Sequence, residues 1–378
     1  VDLTWSPREE AFRSEVREWL ARNVPAEPLP SGDTREGFAA HLEWERRLHE
    51  ARLSVVSWPA RYGGRDAGVW EWLIFEEEYH RAGAPQRVTQ NGIFLLAPAL
   101  FEFGTPAQQD RYLPPMASGA ETWCQGWSEP EAGSDLAAIR ARAVRDEAGG
   151  GWRLFGQKTW TTRGAFCTHL FGLFRTDPTA GRHQGLTYFL VPLGIDGVTV
   201  RGFGRLDGDE GFADVFFDGA FVTDDAVLGE VGDGWRVAMA TASSERGLTL
   251  RSPGRFLAAA ARLVELGRRR RGDARPATRD ALVRAVIAAE AYAAQTLAVV
   301  TRISAGARPG VEASLAKVFW SELDVAIHEV ARDLLGPEAE LDDVWARGHQ
   351  FALAGPIYAG TNEIQRNVIA ERLLGLPR

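Results

Sequence analysis

The chain has 378 residues, 45% hydrophobic and 25% charged, a globular balance with room for two or three subdomains around a large core. Its formal net charge of −8 argues against a nucleic-acid backbone as partner, since that binding rests on a basic surface. Two cysteines, Cys124 and Cys167, are too few for a disulfide framework and show no CxxC spacing.

The first segment mixes Arg and Glu with Trp5, Phe12, Val16 and Trp19, which reads as an amphipathic helix and not a signal peptide. No apolar run reaches the ~18 residues of a membrane span, so the expected location is cytoplasmic. Pro7 followed by Glu9 and Glu10 suits a helix start, where acidic groups meet the positive end of the dipole. Helical patterns follow at 36–51 and 69–81, and "WPARYGG" at 58–64 reads as a loop. Residues 1–118 are therefore expected as a helical domain.

The texture changes at 119 and stays changed to 228. Short apolar runs at 151–156, 169–176, 185–193, 197–203 and 213–222 are punctuated by Gly, Asp and Pro, the pattern of a small β-barrel or sandwich. After Gly234 helical spacing returns, with long segments at 255–268, 279–303 and 312–335, so the third domain is taken as 229–378. Helices, then strands, then helices make an α+β chain, not alternating β-α units.

Several chemistries lose sequence support. There is no GxGxxG after a strand, no GxxxxGK[ST], no HExxH and no GxSxG, and no two histidines stand at i and i+4 on a helix. The run Glu76-Glu77-Glu78 reads as a solvated helix face and not a ligand set, so no metal is expected. Lys158 and Lys317 are the only lysines among the 43 Lys and Arg residues, which reads as coding bias from a GC-rich genome.

Three stretches carry more. "WCQGWSEPEAGSDL" (123–136) sets two Trp, a Cys and a Gln before Ser-Glu-Pro and Ala-Gly-Ser-Asp, although Gly, Ser and Asp are also plain turn residues. "QKTWTTRG" (157–164) places an aromatic beside hydroxyls, which sheet packing also explains. "GTNEIQR" (360–366) on its own could be a helix cap. Together and in this order, with "FGTPAQQDRYLPPMASG" and "NVIAERLLG", they closely resemble the acyl-CoA dehydrogenase family over essentially the whole chain.

The resemblance implies an N-terminal helical domain, a central β-barrel domain and a C-terminal four-helix bundle, with one FAD per active site. It places Gln125, Trp127 and Ser128 along the flavin's polar edge, Trp160 against the isoalloxazine and Thr162 near its N5 and O4. Thr361 and Glu363 fall at the FAD diphosphate and adenosine side, and Ser134 at the acyl-CoA. The implied reaction takes an α-proton to a carboxylate and the β-hydrogen as hydride to flavin N5, giving a trans-2-enoyl-CoA, with an electron-transferring flavoprotein as acceptor.

Many family members carry the base as a Glu just before the terminal Gly-Thr, where this chain has Ala359. A minority carry it immediately before an Arg on the first helix of the last domain, and Glu245 before Arg246 matches that position. The expectation is that Glu245 is the base, Arg246 borders the substrate, and Ala359 keeps only a backbone N–H for the thioester carbonyl. A second departure is "RRRRGDARPATRD" (268–280), which lacks the Phe-Gly used in many members to hold a neighbour's FAD; it permits a heterotetramer as well as a homotetramer. Other readings of the same fold are a dehydrogenase of carrier-protein-bound acyl groups, a non-catalytic partner subunit and a flavin monooxygenase.

Overall fold

Ser6 starts the first helix by a reciprocal cap: its hydroxyl accepts the Glu9 N–H at 3.3 Å, and the Glu9 carboxylate accepts the Ser6 N–H at 2.7 Å. The computed structural model describes residues 4–246, 252–270, 275–307, 310–341 and 343–377, without the side chains of 244–246 and 343. Its helices are α1 (Pro7–Asn23), α2 (Arg35–Glu50), α3 (Val69–Arg81), α4 (Ala97–Phe103), α5 (Pro106–Ser118), α6 (Gly234–Arg246), α7 (Pro253–Arg269), α8 (Pro276–Ser304), α9 (Glu312–Leu335), α10 (Asp343–Ala354) and α11 (Asn362–Val368). Its strands are β1 (Trp123–Gly126), β2 (Arg142–Asp146), β3 (Gly151–Thr162), β4 (His169–Arg175), β5 (Leu186–Pro192), β6 (Val198–Phe203), β7 (Phe212–Thr223) and β8 (Val227–Leu228).

The chain folds as two units. One gathers Val1–Ala26, Ala67–Ala84 and Arg246–Arg378, and is helical. Here α7, α8 and α9 pack on one another around Phe256, Leu263, Tyr292, Trp320 and Ile327. Each such fully buried large side chain contributes roughly 1.5–3 kcal/mol. Helix α3 lies against α7 at Gly254, where a Cβ would come within 2.9 Å of the Glu76 carbonyl oxygen. It is tied to α1 by a two-pronged pair: Arg17 Nε and Nη2 donate to Glu78 at 3.0 and 2.8 Å. Helix α8 is long and apolar enough to cross a bilayer by length and composition alone, with a mean hydropathy of 1.3 over its best 18-residue window, although Arg284 and Glu290 interrupt its apolar run. Its Ala285 and Ala289 are buried in the core with α7 and α9, and a bundle core helix passes the same test.

The other unit holds Glu27–Asp66 and Pro85–Glu245. Its eight strands run in the order β6-β7-β3-β2-β4-β5-β8, with β1 alongside β4. The β1–β4 and β2–β4 pairings are parallel and the rest antiparallel. The domain read from the sequence as a barrel takes the form of one sheet; no pairing joins its end strands β6 and β8 among the described residues. Leu154, Leu170, Phe174, Phe189, Val215 and Phe217 fill the core under it. Helix α5 is fastened to this unit by Gln108, whose Nε2 donates to the carbonyls of Asp225 and Val227 at 2.8 and 2.7 Å.

Candidate active site

The sheet unit presents the first group of candidate residues. Strand β3 carries a bulge: Lys158 faces Val215 and Thr161 faces Ala213 on β7, leaving one extra residue on β3. Trp160 occupies the bulge at φ +57°, a left-handed conformation that side chains other than Gly, Asn and Asp rarely adopt. The kink turns its indole outward. The ring is 60% exposed and is held edge-on by Phe203 at 5.3 Å and Phe212 at 5.5 Å. An indole held in a strained bulge and left open to solvent presents a flat aromatic face. The two threonines that follow point to opposite sides. Thr161 is fully buried and its hydroxyl donates to the Ala213 carbonyl at 2.7 Å; Thr162 is half-buried, and its hydroxyl has no partner among the described residues.

Strand β1 leads into the loop of Trp127, Ser128 and Glu129. The side chains of Gln125 and Ser128 are half-buried and likewise unpartnered among the described residues. The buried Trp127 leaves its indole N–H with no acceptor. The Ser128 carbonyl accepts the Thr159 N–H at 2.9 Å, so this loop runs beside the bulge. A set of unsatisfied donors next to an open aromatic wall fits a flat ring with a polar edge. Ser134 lies elsewhere on this unit, exposed in its turn, and its neighbour Asp135 pairs with Arg182.

Behind the loop sits a buried ion pair that the sequence reading missed. Lys158 is 0% exposed; its Nζ donates to Glu129 Oε1 at 2.8 Å and to the Trp127 carbonyl at 3.3 Å. Glu129 also accepts the N–H groups of Arg140 and Ala141 at 2.6 and 2.9 Å. Burial pushes the Lys158 ammonium down to about 8, against the pull of Glu129. The bulge is braced from its far end as well. Arg163, at φ +56°, lies with Nε 2.7 Å from Asp33 Oδ1, and the other Asp33 oxygen meets Arg205 Nη1 at 2.7 Å. The Arg163–Asp33 contact is an ion pair whose N–H direction falls off the hydrogen-bond line, since neither atom is satisfied by it.

The helical unit presents the second group. Ala359 is half-buried at φ +56°, followed by Gly360 at φ +79°. The Ala359 N–H meets no acceptor among the described residues, whereas its carbonyl accepts Gln365 Nε2 at 3.0 Å. Lys317, also 0% exposed, donates from α9 to Asn362 Oδ1 at 2.7 Å and to the Pro356 carbonyl at 3.2 Å. The Asn362 N–H closes the same loop onto Pro356 at 2.8 Å. Thr361 is the N-cap of α11, its hydroxyl accepting the Ile364 N–H at 3.2 Å, so the plain cap reading holds for it. The exposed Glu363 carboxyl is held below its usual range by its own backbone N–H and then by the Thr361 hydroxyl.

Glu245 and Arg246 are the last two residues of α6, and their side chains lie outside the described residues. Of the 268–280 stretch, residues 271–274 also lie outside; Arg270 pairs with Glu338. The signal that could have exposed Lys158 and Lys317 was their rarity, which the sequence reading assigned to coding bias.

Residues 6–120, 124–219 and 232–374 match, in turn, the acyl-CoA dehydrogenase N-terminal, middle and C-terminal domains. The chain is 41% identical to acyl-CoA dehydrogenase IpdE1 of Mycobacterium tuberculosis, over 98% of each. Among solved structures it resembles the Tcur3481-Tcur3483 steroid ACAD at a TM-score of 0.89 and 25% identity over all of both chains. It also resembles the ChsE4-ChsE5 complex from Mycobacterium tuberculosis at a TM-score of 0.84 and 27% identity, again over all of both chains.

Proposed function

This chain belongs to the acyl-CoA dehydrogenase family and is an oxidoreductase acting on acyl-CoA, and on that premise we propose that it forms a trans-2-enoyl-CoA with Glu245 as the base. The observation that carries the reading is the open Trp160 wall beside the unpartnered Gln125, Ser128 and Thr162. Those residues suit FAD: Trp160 would hold its ring, and Gln125, Ser128 and Thr162 would hold its polar edge. Bound there, FAD supplies the acceptor for the β-hydrogen as hydride.

The remaining chemistry belongs to the chain. An α-proton is weakly acidic, so its removal needs a carbonyl polarised by fixed donors and a base shielded from water. The Ala359 N–H is such a donor: it is held at positive φ, and its own carbonyl is fastened on the opposite side by Gln365. The methyl of Ala359 cannot take a proton. Glu245 takes that role from α6, with Arg246 beside the substrate; Thr361 and Glu363 serve the diphosphate side of FAD, and Ser134 the acyl-CoA.

The proposed substrate is a bulky, steroid-type acyl-CoA, in line with the steroid ACAD likeness. An electron-transferring flavoprotein is the proposed electron acceptor. The assembly is a homotetramer or heterotetramer, which would cover the exposed Val283 and Ile287 of α8 and Leu315 and Phe319 of α9.

The test is an anaerobic visible titration of the purified protein with short, branched, long and steroid-type acyl-CoAs, with Glu245→Gln alongside. A yellow protein bleached by the steroid-type thioester only in the wild type supports the reading. Normal bleaching of Glu245→Gln removes the base assignment, and a colourless wild type removes the reading as a flavoprotein acting alone.

A further inference from the structure

Arginine serves nearly every cationic position of this chain, yet the cation behind the Trp127–Glu129 loop is a lysine, one of two among 43 Lys and Arg residues. Its ammonium meets two acceptors. Glu129 Oε1 and the Trp127 carbonyl oxygen belong to different groups. A compact ammonium can turn its three donors to separate acceptors, whereas a guanidinium presents a planar fork. The pocket is also closed: Lys158 is 0% exposed and the Phe174 ring centroid lies 5.1 Å from its Nζ.

The contact to Trp127 reaches further than the ion pair. The Trp127 carbonyl and the Ser128 N–H are opposite edges of one planar trans peptide. Fixing the carbonyl toward the buried ammonium therefore aims the Ser128 N–H the other way. That N–H finds no acceptor among the described residues. The Thr159 N–H holds the next carbonyl, that of Ser128, so the loop is pinned on both sides of the free donor. A cation on the carbonyl also polarises the peptide and strengthens the donor at its far edge.

We propose that Lys158 is a positioning residue that aims and strengthens the Ser128 N–H as a donor to the polar edge of the flavin. The inference rests on the flavoprotein reading above. It assigns Lys158 no contact with flavin or substrate, and it separates two functions of one ammonium: neutralising Glu129, and orienting the Trp127–Ser128 peptide.

Lys158→Met alone would strand the Glu129 carboxylate in the interior and endanger folding. The comparison is therefore between Glu129→Gln, which leaves the Lys158 amine as a donor to the Trp127 carbonyl, and the double variant Lys158→Met/Glu129→Gln, which loses it; melts of both report the cost of removing the partner charge. Full-length protein stripped of FAD is titrated with FAD by flavin fluorescence, and the visible band of each loaded protein is recorded. Thermal melts of the FAD-free proteins provide the stability control. The expected result is a wild-type-like Kd and band shape for Glu129→Gln, and a Kd at least about tenfold weaker with an altered band for the double variant at a comparable melting temperature. Equal Kd and equal band shape in the two variants would overturn the inference while leaving the flavoprotein reading intact. A wild type that takes up no FAD would overturn both.

Discussion

Replacing Trp160 by alanine separates its stability role from its binding role, because the structure makes the two unequal. The indole is 60% exposed, so roughly 100 Å² of it is covered, mainly by Phe203 and Phe212, worth at most about 2.5 kcal/mol at ~25 cal/mol per Å². Alanine keeps a Cβ at φ +57°, so the left-handed strain is unchanged by the substitution. A domain with about 5–15 kcal/mol of stability tolerates that loss. The binding loss is separate: an aromatic face that stacks on a flat heterocycle contributes about 1–3 kcal/mol, so the FAD Kd should rise about 5- to 150-fold. Titration of the FAD-free protein reads the second term, and melts with and without FAD read both. Trp160→Phe should fall between. An alanine variant that binds FAD like the wild type, with an unchanged flavin band, would refute the assignment and leave Trp160 as an exposed bulge residue.

Lys158 gives a pH prediction with a definite sign. Its native-state pKa of about 8 lies below the usual 10.5, so between these values the unfolded chain binds more protons and stability rises with pH. The cost of burying the ammonium is present in full below pH 8 and relieved by pH 10.5. Chemical denaturation of the wild type should therefore gain up to about 3 kcal/mol across that window relative to Lys158→Met/Glu129→Gln; equal slopes in the two proteins would contradict it. Ala359→Gly should be close to neutral in stability, since relief of about 1 kcal/mol of left-handed strain is offset by about 0.4–1 kcal/mol of added chain entropy. Its kcat should stay within a few-fold of wild type if only the backbone N–H acts, and a collapse of kcat at unchanged FAD content would show that the methyl is needed.

The elements legible in the sequence were those set by local periodicity. The helix expected at 255–268 runs Pro253–Arg269, and the strand expected at 169–176 runs His169–Arg175. Strand β3 was underestimated at 151–156 because its second half passes through a bulge, and a residue at positive φ breaks the alternation by which strands are recognised. The residues proposed to face the flavin could be named only through resemblance. The exposure of Trp160, the free Ser128 N–H and the unpartnered Thr162 hydroxyl depend on pairing with β7 and on the loop after β1. Lys158 and Glu129 are 29 positions apart, and nothing in local spacing couples them.

The two lysines read from the sequence as a mark of coding bias share a structural setting: both are fully buried. The buried guanidinium groups of Arg87 and Arg163 lie against the carboxylates of Glu45 and Asp33, and Arg87 also donates to the Ser54 carbonyl. Lys158 and Lys317 make the corresponding contacts with a compact ammonium. Each reaches from a regular element to one backbone carbonyl and one side-chain oxygen of a loop, Trp127 with Glu129 and Pro356 with Asn362. Both lysines are closed off from solvent. The loops in question carry Ser128 and Ala359, whose backbone N–H groups meet no acceptor among the described residues. In both places a buried lysine fixes the loop that carries such a donor.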